Sequence, residues 1–154
     1  MRKLPEVEEA KALMREAAEW STFTWLWEKR RVREAADRAN DALDRLNRSV
    51  KAHWNTDLKS AYKNHNGKSN ASSHQSSAKG DGSAEIIAFV EKVKAADATA
   101  RRARATAEET FDRAEREMST NLAREGCRQA IESWELHEKA IRRAEAAPGL
   151  TKPA

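Results

Sequence analysis

Apolar residues recur along this chain at alternating intervals of four and three, the spacing of one helix face that meets a partner helix. In the first half the stripe is Val32, Ala36, Ala39, Leu43, Leu46, Val50 and His53. In the second half Ile86, Val90, Val93, Asp97, Ala100, Arg104, Ala107, Phe111, Ala114 and Met118 repeat it. Between Glu6 and Ala147 there is no proline, and three of the four glycines in that span fall in one serine-rich stretch, residues 67–83.

These patterns predict an all-α single domain of two long helices, residues 5–66 and 84–147, folded into an antiparallel coiled-coil-like hairpin. A flexible Ser/Gly/Asn-rich linker over residues 67–83 joins them, and residues 148–154 form a loose tail. Pro5 suits the first helical position, and Glu6, Glu8 and Glu9 complement the positive end of the dipole. Asn64-His65-Asn66-Gly67 ends the first helix; Ser83 caps the second, which runs to Ala146 before Pro148-Gly149. Folding back near residue 75 sets Val32 beside Met118, Ala39 beside Phe111, Leu43 beside Ala107 and Val50 beside Ala100, large against small. Ser21 to Thr24 and Gly126 are the places where such helices would kink into a bundle. Ala35, Ala42 and Ser49 widen the apolar face beyond what two strands need, which predicts a homodimer or a protein partner.

Charge changes the picture little. The net charge is +4, but residues 5–66 carry 12 basic and 11 acidic groups, and residues 84–147 carry 12 and 13. Helices so balanced argue against a phosphate-binding face and hence against nucleic acid. Acid-before-base pairs four apart, such as Asp41 with Arg45 and Asp112 with Arg116, belong to solvated faces. The single cysteine, Cys127, fits a reducing compartment, and no apolar run is long enough to span a membrane, so the expected localisation is cytoplasmic.

Two places break the pattern. His53 falls level with Asp97, a polar pair in an aliphatic seam; it reads as a register-fixing contact in preference to a proton relay or half of a metal site. The second is the segment 20–27, which holds four of the nine aromatics, Trp20, Phe23, Trp25 and Trp27, and is followed by a basic run containing Arg30 and Arg31. It reads either as an aromatic core at the far end of the hairpin or as a docking surface, since Trp and Arg dominate binding hot spots. In the first reading it lies beside Gly126 and Cys127, where a missing side chain admits an indole, and Trp134 falls near Ala17 and Met14. The heptad would slip by one position near Lys29.

No catalytic motif, cofactor loop or metal-ligand spacing occurs, and Glu-x-x-His is absent. The expected function is therefore a non-enzymatic structural or protein-interaction module, self-associating or docking a partner through Trp20, Phe23, Trp25, Trp27, Arg30 and Arg31. The alternative is a nucleic-acid or anionic-surface module using residues 20–33.

Overall fold

The computed structural model describes the backbone of residues 3–71 and 83–146 and the side chains of residues 3–52 and 84–146. Among them the chain is all-α, with four helices and no strand: α1 (Pro5–Ala17), α2 (Thr22–Ala71), α3 (Ser83–Glu117) and α4 (Thr120–Glu145). Each of the two expected long helices is broken once. The predicted linker lies partly in helix, since α2 continues through Gly67 to Ala71 and α3 begins at Ser83; the remainder lies outside the described residues, as does the tail from residue 147.

The start of α1 is as the sequence suggests, with Pro5 in its first turn and Glu6 and Glu8 at the positive end. Both breaks are built on a serine. After α1, Ser21 accepts the Thr24 N–H at 3.2 Å through its hydroxyl, the N-cap geometry that opens α2. After α3, Met118 takes a left-handed φ of 52°. The Met118 N–H donates to the Glu115 carbonyl and the Ser119 N–H to the Ala114 carbonyl at 2.9 Å, the paired bonds of a Schellman ending. Ser119 then caps α4 by accepting the Leu122 N–H at 3.1 Å, so two residues both end one helix and begin the next. Gly126, a candidate kink, lies inside α4 and bends nothing sharply enough to interrupt it.

Both turns lie at the same end of the molecule. Thr22 Oγ1 and Thr120 Oγ1 are hydrogen-bonded across it at 2.8 Å, and Arg124 donates to the Trp20 carbonyl at 2.8 Å. Away from this end α2 and α4 run parallel, joined by a 2.8 Å hydrogen bond from Trp134 Nε1 to Asn40 Oδ1. Helices α1 and α3 run toward it. Lys11 of α1 reaches Glu138 of α4 at 2.5 Å, with both residues buried. The result is an up-down-up-down bundle in which α4 touches all three other helices.

The predicted stripes are the buried stripes. In α3 the run from Val93 to Ala114 is buried at every seam position except Arg104, which is half-buried, and exposure returns fully only at Met118. The seams do not close on each other, however. Val32, Ala39, Leu43, Ala107 and Phe111 join one core with Val7, Met14, Cys127, Trp134 and Ile141 from α1 and α4. Close approach between α2 and α3 is sparse. Their seam is spanned by long charged side chains instead, Arg33 to Asp112 at 2.9 Å, Arg104 to Asp44 at 2.9 Å, and Lys51 to Asp97. The Arg104–Asp44 and Lys51–Asp97 pairs lie within a helical turn of the register drawn from the sequence, and Arg33–Asp112 lies five residues from it. The pairing of Val32 with Met118 fails, because Val32 is buried and Met118 is 82% exposed at the turn.

Candidate functional site

The aromatic segment is divided by helical periodicity. Trp25 sits one heptad before Val32, on the inward face of α2, and is buried; Phe23 and Trp27 sit on the opposite face at 69% and 73% exposure. Trp20, in the turn, is half-buried and meets Trp25 edge-on with ring centroids 5.3 Å apart. Phe23 and Trp27, four apart on the outer face, form a tilted pair at 6.2 Å. The inward face of α2 begins at Trp25, and between it and Val32 Glu28 is half-buried and Lys29 exposed.

Leu26 and Met118 extend the exposed apolar surface to the mouth of the seam between α2 and α3, at 56% and 82% exposure. Arg30 and Arg31 are exposed beside it, facing Glu34 at 3.8 Å and Glu28 at 3.6 Å on their own helix. Neither contributes to the core.

Gly126 faces a ring, but it is Phe111 of α3 and not an indole. A Cβ built at Gly126 would lie 2.8 Å from two ring carbons of Phe111. Phe111 in turn carries the Arg33 guanidinium 5.6 Å from its centroid, so the glycine sets the depth at which α4 supports the α2–α3 seam. Trp134 is fully buried and belongs to the same core cluster as Ala17 and Met14.

Of the expected polar seam pair, Asp97 is buried and ion-paired to Lys51, while the His53 side chain lies outside the described residues. A further titratable group faces the same seam. His137 of α4 is buried, with Nε2 lacking any hydrogen-bond partner. Burial and then the Arg104 charge push its pKa down from 6.5 to about 4, against the opposing pull of Asp44 and Asp97. Burial alone would raise the Asp44 carboxyl; hydrogen bonds and charge from Arg104, aided by His137 and Arg48, bring it below the usual value. Burial pushes the Cys127 thiol up to about 12, so it is an unreactive packing group.

Among the described residues no three His, Cys, Asp or Glu side chains gather as a metal site would require, and no helix is long and apolar enough to cross a membrane. The fold and surface define an all-α helical bundle with an aromatic end. The chain matches no family model, no curated protein and no solved structure.

Proposed function

We propose that the protein is a non-catalytic helical interaction module that self-associates through its turn end. The observation that carries this reading is the clustering of exposed apolar side chains. Of the five large hydrophobic residues that are exposed among the described residues, Phe23, Leu26, Trp27 and Met118 lie at that end, and Ile87 alone lies elsewhere. The near-neutral helices support a second copy as the occupant, since two such surfaces meet without strong like-charge repulsion. An anionic partner bound through residues 20–33 has less support, because Glu28 and Glu34 offset Arg31 and Arg30 locally.

Light scattering after size exclusion, over a dilution series, tests the reading with wild type and the Phe23→Ala/Trp27→Ala double variant. A wild-type dimer and a monomeric double variant of equal helicity by circular dichroism are expected. A wild-type monomer at every concentration, or a dimer indifferent to the double substitution, would refute it.

A further inference from the structure

Beside the exposed Phe23–Trp27 pair the seam between α2 and α3 opens into an apolar groove of about 160 Å³. Buried side chains of the core form its floor, Val32, Phe111, Ala114 and Ala123, and the exposed Leu26 and Met118 stand at its mouth. The two alanines supplied by α3 and α4 are too short to fill the space in front of Val32. An apolar cavity of about 150 Å³ holds one benzene ring, so the groove matches a single aromatic ring.

A ring of that size projects from the same surface. Phe23 precedes Leu26 by three residues, so it stands about 60° round the helix from the edge of the groove, 69% exposed. Trp27 stands about 40° further round, and its tilted contact at 6.2 Å backs the Phe23 ring. A knob and a hole side by side on one patch make that patch self-complementary about a two-fold axis: the ring that enters the groove of a second copy brings that copy's ring to the first groove. The surrounding charge favours the meeting. Arg30, Arg31 and Arg33 end on Glu34, Glu28 and Asp112 of their own copy. Lys29 on the groove rim and Glu19, four residues before Phe23, are exposed, form no ion pair among the described residues and are opposite in sign, so two copies present complementary charge to each other.

We infer that the Phe23 ring of a second copy seats in this groove, between Leu26 and Met118 at the mouth and against Val32 and the two alanines at the floor, and that the exchange is reciprocal. The inference rests on the self-association reading above and names its contact, ring into groove and not ring upon ring. Trp27, with two fused rings, exceeds a one-ring space and supports Phe23 from behind. Seating the ring covers Leu26 and Met118 together with Phe23, three of the four large apolar side chains exposed at this end.

The test is complementation between two variants of the full chain, read as solution mass by light scattering over a dilution series. Phe23→Ala removes the ring and keeps the groove; Ala114→Leu fills the groove and keeps the ring. Each variant alone loses both seats, and its dimer dissociation constant should rise by roughly thirtyfold or more, the loss expected of a hot-spot side chain. Mixed in equal amounts at a concentration where each is monomeric, the two should form a heterodimer, because the ring of the groove-filled copy enters the open groove of the ringless one. Lys29→Trp, which closes the mouth from an exposed position, replaces Ala114→Leu if circular dichroism shows that variant losing helix. A wild-type dimer that is lost in Phe23→Ala/Trp27→Ala yet remains as tight in the groove-filled variant would overturn the seat while the self-association reading stands. Two monomeric variants whose mixture stays monomeric, the outcome of ring stacking on ring, would overturn it as well. A wild type monomeric at every concentration would overturn both and leave the groove to a different occupant.

Discussion

Acidification should loosen this bundle through one residue, His137. The side chain is 4% exposed, and the charged groups that face it are Asp44 on α2 and Arg104, Asp97 and Arg101 on α3. Its folded pKa of about 4 lies below the ordinary 6.5, so between these values the unfolded chain binds the proton and the folded chain resists it. Stability is therefore complete above pH 6.5, falls as pH drops from there toward 4, and then levels off for this group. The full span corresponds to about 3 kcal/mol, and the part between pH 7.5 and 5.0 to about 2 kcal/mol. Asp44 does not confuse the window: its pKa is depressed below 3.8, so its contribution is present above that value and fades only at lower pH.

Urea unfolding followed by circular dichroism at pH 7.5 and 5.0 measures the effect. For a chain of this size the loss moves the wild-type midpoint down by about 1 M. His137→Leu removes the titrating group without removing any Nε2 hydrogen bond, since Nε2 makes none. Its midpoint should move far less over the same interval. The two proteins differ at this residue alone, so the comparison isolates it. An equal acid shift in wild type and His137→Leu would refute the assignment, as would a wild-type midpoint indifferent to pH.

Two further substitutions probe the places where the helices are shaped by single residues. Gly126→Ala would raise helix propensity by about 1 kcal/mol, but its Cβ would sit 2.8 Å from a buried phenylalanine ring, and overpacking costs about 1–3 kcal/mol. A net loss near 1 kcal/mol in urea unfolding, relieved in the Gly126→Ala/Phe111→Leu double variant, is expected; a stabilised single variant would show that α4 can withdraw from α3. Met118→Gly removes a side chain from a left-handed position where only glycine is unstrained, so thermal unfolding should report a gain of about 0.5–1 kcal/mol, and a loss would mean that the exposed methionine contributes packing that its geometry does not indicate.

Much of the core was legible, and the turns were not, for separate physical reasons. Burial follows sequence period, so the α3 stripe through Val93, Ala100, Ala107 and Phe111 appears in the amino-acid pattern and again in the packing. Helix ends are written in the sequence only when the capping residue is unusual. Pro5 announces α1, but the α3 ending places methionine where glycine is the common choice, and Ser119 resembles any other serine in a polar run. A phase change did carry the signal. The stripe ending at Met118 does not continue on its own spacing into Ala123, Cys127, Ala130, Trp134, His137, Ile141 and Ala144, which form a second complete stripe on α4. The aromatic segment was visible as a concentration, and its division between Trp25 inside and Phe23 and Trp27 outside follows once the stripe is traced back from Val32. Long-range ion pairs such as Lys11 with Glu138 had no such signature, because partners 127 residues apart are chosen by the fold.

The two breaks also explain why α2 and α3 are bridged by charges and not by the aliphatic contact that their stripes suggest. Straight helices of about 60 residues, roughly 90 Å long, would share one narrow seam and leave their outer apolar shoulders wet. Turning back at Ser21 and at Met118 instead brings Val7, Met14, Trp134 and Ile141 onto those same stripes, where all four become buried. Each turn interrupts the ladder of backbone bonds, and the serine caps and the Schellman bonds replace part of what is interrupted. Once α4 occupies the apolar faces of both neighbours, α2 and α3 approach each other closely at few points, among them Val50 in the cluster around Val93. Along much of the seam the long side chains of Arg33, Arg104 and Lys51 cross between them, each ending on an acid. The charged seam therefore has its origin in the wedge of α4 between two helices whose stripes would otherwise close on each other.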